Sequence, residues 1–436
     1  MTTPINTDGA KTERSSRVTT TTTSNLAVTI IGTGQEGSVR DQFSGYISRV
    51  RGGDMGALPA LGGFLVLSIL FANLNPYFLT TLNMANLFQQ AGTLMMLSMA
   101  LVFVILIAEI DLSAGVTSGV AAGVFVLLVN TYKFEWVTAI VISFVVGVAI
   151  GSLIGFFVAK IGVPSFVVTL GLFLGLQGLQ LVLLGEGGLY RVETPEVLSI
   201  MNDSMEPWAG WVMLVIVVAV AFGMGMWDRT RRTKAGVTNR PMALLLIRVG
   251  AIAVGLGIVV FLLNLNRSVS VKAIMGVPYV IPISLIILFI GTFILDRTRF
   301  GRHLYAVGGN PEAARRAGIK VTQVRVLAFM ACSFLAVVSG IFDASRIGSV
   351  DAGSGKTLVL SGVAAAVVGG VSLFGGRGRL SNAVIGAFVI AVIDNGLGLL
   401  GLPSGVNYLV TGGVLVLAAT VDAISRKRAG SGQLRT

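Results

Sequence analysis

The chain has 436 residues, of which 54% are hydrophobic and 12% charged, with a formal net charge of +12. Domains that fold in water carry roughly a quarter charged residues; with about half that supply this chain cannot cover its own surface, which excludes an ordinary soluble enzyme. The basic excess does not point to nucleic acid either: Lys and Arg sit in short blocks between long apolar runs, as in loops on one side of a membrane, with no aromatic-and-basic strip of the kind that holds single strands.

Residues 1–55 are polar, with a threonine run at Thr19 to Thr23. The apolar stretch Leu26 to Ile31 is too short for a signal-peptide core, so this segment is expected to be a disordered cytoplasmic tail. A spanning helix needs about 20 mainly apolar residues. Candidate spans are 57–74, 91–109, 113–130, 136–159, 165–184, 209–227, 243–263, 278–295, 325–344, 358–374, 383–401 and 405–421, about twelve in all. Thr80 to Gln90, with Asn83, Asn86, Gln89 and Gln90, is expected to be an amphipathic or re-entrant piece before the second span. Gly147, Gly151 and Gly155, four apart, prepare one face of the fourth span for close helix packing. Trp208, Trp211 and Trp227 flank the sixth span as interfacial anchors.

The basic loops set the orientation. Arg229, Arg231, Arg232, Lys234 and Arg240 follow the sixth span; Arg297, Arg299, Arg302, Arg315, Arg316, Lys320 and Arg325 follow the eighth. Arg377 and Arg379 come next, and the tail 423–436 ends with Arg426, Lys427, Arg428 and Arg435. All fall on one side if both termini are cytoplasmic, and the acidic stretch with Glu186, Glu193, Glu196, Asp203 and Glu206 then faces outside. A membrane domain over 56–422 between two cytoplasmic tails follows. Two echoes mark the chain. Asp-Arg-Thr-Arg occurs at Asp228 to Arg231 and at Asp296 to Arg299, and Ser-Gly-Val-Ala-Ala at Ser118 to Ala122 and Ser361 to Ala365. The helices bearing the second echo run in opposite directions in this topology, as inverted transporter repeats do.

Few residues carry chemistry. The single Cys332 and single His303 support no disulfide framework and no metal site. Gly353-Ser354-Gly355-Lys356-Thr357 has the end of a phosphate loop, but the first glycine of that pattern falls at Val350, so ATP hydrolysis must come from a partner. Asn310-Pro311-Glu312-Ala313-Ala314-Arg315-Arg316-Ala317-Gly318 is a short helix written with its own signals. Asn310 caps, Pro311 suits the first position and Glu312 the positive end; Arg315 and Arg316 suit the negative end, and Gly318 the left-handed stop. Glu312 and Arg316, four apart, can pair. A helix of two turns does not persist alone, so a docked partner or a bland basic loop are the two readings of it.

Gly301 through Ile319 resembles the cytoplasmic coupling loop of the permeases of ribose, xylose and galactose ABC importers. Three further segments match that family in the same order: Glu109 to Gly115, Val163 to Gly171 and Val367 to Gly378. The resemblance covers about 57 to 422. It implies an all-α integral membrane protein of the type II importer kind, a ten-helix core with inverted repeats. Spans six and seven (about 209–263) then form an additional pair, as in the xylose-type members. It also implies a homodimer in the cell membrane, a cytoplasmic ABC ATPase holding Mg-ATP, an external sugar-binding protein and a monosaccharide cargo, with no cofactor on this chain. Glu312, Ala314, Arg315, Ala317 and Gly318 would then contact the ATPase groove. One departure stands before Val367: Ser354 to Leu360 replaces the family's acidic, Tyr-containing Gly-Tyr-Glu-Leu-Asp pattern.

Ionisable and amide groups inside spans are costly and commonly functional. Glu109, Asp111, Ser113, Gln177, Gln180, Asp343, Asp394 and Asn395 are candidates for a pathway; the alternative for each is that it satisfies broken backbone or a neighbouring helix. An ion-coupled secondary transporter would use the same buried carboxylates, but has no ATPase to receive a coupling helix. A membrane-embedded enzyme finds no Ser/His/Asp set, metal cluster or paired acids.

Overall fold

A computed structural model describes residues 56–432 apart from 238, 240 and 269–272, with side chains described as far as 424. The expected N-terminal tail, and the side chains of the basic C-terminal tail from 425 on, lie outside the described residues. The first half of the chain comprises α1 (Leu58–Leu74), α2 (Thr81–Ile105), α3 (Ala114–Asn130), α4 (Trp136–Gly155, continued by a π-helical turn Phe156–Ile161) and α5 (Ser165–Leu184). After strand β1 (Leu189–Arg191) come a short α6 (Pro195–Asn202) and the long α7 (Pro207–Lys234) and α8 (Met242–Asn264). The second half holds α9 (Val280–Arg297), α10 (Arg299–Gly309), α11 (Pro311–Arg316), α12 (Val321–Ile347), β2 (Ser349–Asp351), α13 (Leu358–Val368), α14 (Leu380–Leu399) and α15 (Ser404–Gly432).

Among the described residues nine helices are long and apolar enough to cross a bilayer; Leu58–Leu74, Ala114–Asn130 and Leu358–Val368 are shorter. The roughly twelve expected spans thus divide into nine full-length helices and three shorter apolar ones. The largest departure is the tenth, expected over 358–374. Its helix stops at Val368, because Gly370 adopts φ +97°, and at 1.5 Å per residue α13 is only about 16 Å long. Thr80 to Gln90 is also not a separate re-entrant piece. Thr80 caps α2 through Asn83 N–H (3.3 Å) and the helix runs unbroken to Ile105. Its buried amide needs no water, because Asn83 and Asn395 of α14 exchange two carboxamide hydrogen bonds of 2.8 and 2.9 Å. Two short strands were not anticipated: β1 and β2 pair antiparallel with Tyr190 opposite Val350.

The core is built round α12, packed on α2, α3 and α4. The glycine stripe of α4 faces it. A Cβ on Gly147 would lie 2.3 Å from Val337 Cγ2, one on Gly151 2.6 Å from the Phe329 carbonyl, and one on Gly155 2.7 Å from Val326 Cα. Helices this close bury their backbones against each other, which replaces the missing hydrophobic drive in lipid. The additional pair α7 and α8 packs mainly on itself. Its inner end is pinned by Arg297 of α9, whose Nη2 donates to Asp228 Oδ2 (2.6 Å) and whose Nη1 donates to Oδ1. At its other end, in the loop after α8, the buried Arg267 donates to the carbonyls of Leu263 (2.6 Å) and Gly276 (3.0 Å) and to Ser204 Oγ (2.6 Å). Burial pulls that guanidinium's pKa down. The molecule thus has a basic face, where α7, α9 and α10 meet, and an opposite face that carries the β1–β2 sheet.

Candidate functional site: an interior helix break joined to the basic-face loop

On the basic face α10 is amphipathic, with Gly301, Leu304, Val307 and Gly308 buried on one side at helical spacing. Thr298 Oγ1 caps it by accepting from Gly301 N–H (3.2 Å). Gly308 is pressed so closely on the core that a Cβ there would lie 1.7 Å from the Leu106 carbonyl and 2.7 Å from Gly376 N. Tyr305 donates to the Gly378 carbonyl (2.8 Å). Its hydroxyl pKa is pushed up to about 12, by burial first and by the Asp296 charge second.

The helix α11 forms as its signals direct. Asn310 Oδ1 accepts from Ala313 N–H (3.0 Å), Gly318 takes φ +82°, and Ile319 N–H closes back on the Ala314 carbonyl (3.0 Å). Arg315, not Arg316, pairs with Glu312 (2.6 Å), because on a helix this short the i+3 position hangs over Glu312. Pro311 is half-buried, and Glu312, Arg315, Arg316, Ala317 and Gly318 are exposed, while Ala314 is buried. Ala314 therefore fastens α11 to the body, and its exposed neighbours offer the outward surface.

Beneath this loop lies the break between α2 and α3. Ala108 leaves α2 at φ +60°; Ile110 stays exposed, and the chain turns inward at the buried Asp111 and Ser113. Ile110, stripped of helical partners, finds two on α5: its N–H donates to Ser165 Oγ (3.4 Å) and its carbonyl accepts from Thr169 Oγ1 (3.3 Å). Gly376 N–H donates to the Leu106 carbonyl (2.8 Å). The four sequence segments from which the resemblance was drawn thus converge on one place. Val163 to Gly171 supplies the hydroxyls, Glu109 to Gly115 is the break itself, Val367 to Gly378 supplies Gly376 and Gly378, and the basic-face loop supplies Gly308 and Tyr305. Sequence reading found all four but missed Ser165, Thr169 and Tyr305 as the joints; a hydroxyl two residues after the helix-starting Val163-Pro164 was the available signal.

The candidate pathway residues fall into separate groups. Glu109 is half-buried and reaches Arg325 (3.4 Å). Asp111 is buried and accepts from Ser113 N–H (2.9 Å) and Oγ (2.6 Å), and its Oδ2 has no partner among the described residues. Higher in the bundle, Ser118, Gly119, Gly340, Asp343, Ser354 and Gly355 line a narrow cleft between α3, α12 and the loop before α13, with no room for a sugar. Gln180 of α5 donates to the Ser354 carbonyl there (3.1 Å). Asp343 pairs with Arg346 (3.1 Å), and Arg346 also interacts electrostatically with Asp394. Asn395 is occupied by Asn83. Gln177 is half-buried on α5.

The cleft exists because two short helices begin side by side. A Cβ on Gly115 of α3 would lie 2.4 Å from the Gly355 carbonyl, and one on Gly119 2.1 Å from that of Ser354. From this shared origin α3 climbs to the sheet face, where Asn130 donates to the Arg191 carbonyl (2.8 Å). The helix α13 descends to the basic face, where Gly369 meets Asn382 and Gly370 meets Gly56. The two copies of Ser-Gly-Val-Ala-Ala ride on these oppositely directed helices. Broken helices in inverted repeats build the substrate sites of many secondary transporters.

A family described as the permease component of branched-chain amino acid transport systems matches residues 83–419. The chain belongs to this permease family. The Escherichia coli K12 xylose transport system permease protein is 32% identical to it over 353 residues, 80% of this chain and 87% of that one. The ribose import permease protein of the same organism is 29% identical over 83% of this chain and 92% of its own length. The D-allose transport system permease protein is 26% identical over 84% and 92%. No solved structure matches. This permease is accordingly a multi-pass, mainly helical membrane subunit of an ABC transporter.

Proposed function

We propose that this permease is the membrane half of an ATP-driven importer of monosaccharides, with xylose or a related pentose or hexose as cargo. Two copies form the pathway, an external binding protein delivers the sugar, and a separate cytoplasmic ATPase carrying Mg-ATP docks on α11. Both termini lie in the cytoplasm and the basic face is the cytoplasmic one. The similarity to xylose, ribose and allose permeases supports the cargo class. The observation that carries the mechanism is the direct seat of α10 on the α2–α3 break at Gly308.

A push on α11 would travel through Ala314 and α10 to the Leu106 backbone, and from there to the junction where α3 and α13 begin. Packed, hydrogen-bonded elements with two discrete arrangements transmit such shifts. Sugars are neutral polyols, so the pathway needs hydrogen-bonding groups rather than fixed charge, and the closed cleft at Ser118, Asp343 and Ser354 is the place to open. The test is sugar uptake into vesicles holding this chain, its ATPase and the binding protein. Uptake that requires all three proteins and ATP supports the reading. Uptake that instead follows a proton or sodium gradient makes the chain a secondary transporter.

A further inference from the structure

The basic-face loop is carried on two helices, α9 before it and α12 after it, and these two do not fill the space between them. The helix α9 packs on α2 and α14, close enough that a Cβ on Gly291 would lie 2.4 Å from Leu380 Cδ1. A groove of about 460 Å³ is left between α9 and α12, with Phe103 of α2 in its lining. Every lining residue is apolar, and Ile290, Leu327 and Phe334 among them are exposed. Protein interiors pack to crystal density and leave few voids larger than a water molecule. An open apolar groove of this volume is therefore filled from outside the subunit.

Its length and its charged end indicate the occupant. Along α12 the lining runs from Leu327 to Val338, about 16 Å at 1.5 Å per residue. That is half of the roughly 30 Å hydrocarbon core of a bilayer, the depth covered by an acyl chain of one leaflet. A second copy of the chain fits less well, because across a two-fold axis a groove faces the same groove and the space stays open.

At the basic-face end, Phe300 lines the groove from the first turn of α10, and Arg299 beside it is exposed. Lys320 is exposed at the head of α12. It stands seven residues before Leu327, which is seven before Phe334, a spacing that keeps to one side of a helix. Neither Arg299 nor Lys320 makes an ion pair among the described residues. Neighbouring carboxylates are engaged elsewhere: Asp296 acts on Arg297 and Tyr305, and Glu109 pairs with Arg325. An acyl chain gains no hydrophobic free energy by moving from lipid into the groove, so its residence depends on close fit and polar contacts. Two free cations at the membrane surface favour a negative headgroup.

We infer that this groove is a binding site for one anionic membrane phospholipid, its acyl chain lying between α9 and α12 and its phosphate held by Arg299 and Lys320. The lipid completes the packing between the two helices that carry the loop.

The experiment uses the full chain purified in detergent. It is titrated with dimyristoyl phosphatidylglycerol or with phosphatidylcholine of the same chains, and bound lipid is counted by native mass spectrometry. One tightly held phosphatidylglycerol per subunit is expected, with phosphatidylcholine held at least tenfold more weakly. Arg299→Gln and Lys320→Gln should each weaken phosphatidylglycerol about fivefold, and together about twenty-five-fold, without changing phosphatidylcholine. Ala331→Phe, which fills the groove and touches neither charge, should remove the tight site. Equal affinity for the two lipids, or charge variants that bind as the natural sequence does, overturns the inference; so does a tight site that survives in folded Ala331→Phe. Should Ala331→Phe not fold, the charge variants, both on exposed residues, still decide. Leu327→Cys tests the other occupant in vesicles, with the natural sequence as control because its one cysteine, Cys332, is fully buried. No disulfide-linked dimer is expected on oxidation; efficient cross-linking would give the groove to a second copy and overturn the lipid. Binding needs neither sugar nor ATP, so the lipid site and the importer reading fail separately.

Discussion

At the residue scale the joints between loop and core make the clearest predictions. Gly308→Ala puts a Cβ into the Leu106 carbonyl, a backbone atom that cannot swing away; overpacking of this kind costs about 1–3 kcal/mol. Gly309→Ala, with nothing within 4 Å, is the matched control. Thermal unfolding in detergent should separate the two by several degrees, and uptake should fall only for Gly308→Ala. Tyr305 gives a pH prediction. Its hydroxyl keeps its proton to about pH 12 when folded but only to about 10 unfolded. The unfolded state therefore releases the proton first as pH rises, so this contribution is complete below pH 10 and is lost between 10 and 12. Melting temperatures measured across that window should fall more steeply for the natural protein than for Tyr305→Phe. That variant should also lose about 0.5–1.5 kcal/mol at neutral pH with its bond to Gly378. The caps of α11 were legible residue by residue in Asn310, Pro311 and Gly318, since capping depends on atoms within a few positions. Which arginine pairs with Glu312 was not, since both spacings are available on a helix and the geometry of one turn decides.

At the element scale the amide pair and the bidentate ion pair are separable tests. Asn395→Leu strands the Asn83 carboxamide in a buried position and should cost about 1–3 kcal/mol. Adding Asn83→Leu should restore part of it, a double-mutant cycle read by denaturation. Asp228→Asn breaks the clasp between α7 and α9. The pair is partly exposed, with side-chain exposures of 20% and 44%, so the loss should be no more than about 1 kcal/mol and uptake should stay near normal if α7 and α8 only pack. The clasp joins the two Asp-Arg-Thr-Arg echoes, Arg297 of one to Asp228 of the other, a pairing no spacing argument could supply. At α11, Arg316→Glu should abolish ATP-dependent uptake while leaving the melting temperature within a degree or two, because Arg316 is exposed. Normal uptake with normal ATPase binding would remove the docking role. Helix existence was legible wherever an apolar run exceeded about 20 residues. The failure came at α13, whose run continued apolar through Val371, Leu373 and Phe374 while the backbone had already turned at Gly370. Hydropathy averages over such a turn.

At the scale of the whole molecule, a shift delivered to the basic face meets the core both where α10 seats on the end of α2 at Gly308 and where α11 leads into the central helix α12. Composition and hydropathy by themselves determined that the chain is a membrane protein, where its long spans lie, which loops are basic and where a short capped helix stands. Those properties are sums over neighbouring residues, or depend on atoms a few positions apart. The resemblance added the family, since four motifs in order are a one-dimensional signature. Only the tertiary structure decided that these motifs meet, that Ser165 and Thr169 hold the backbone of Ile110, and that Asp111, Asp343 and Asn395, alike in sequence as buried polar residues, occupy three different settings. A buried polar group is defined by its partners, and those of Ile110 and Asn395 are 55 and 312 residues away along the chain.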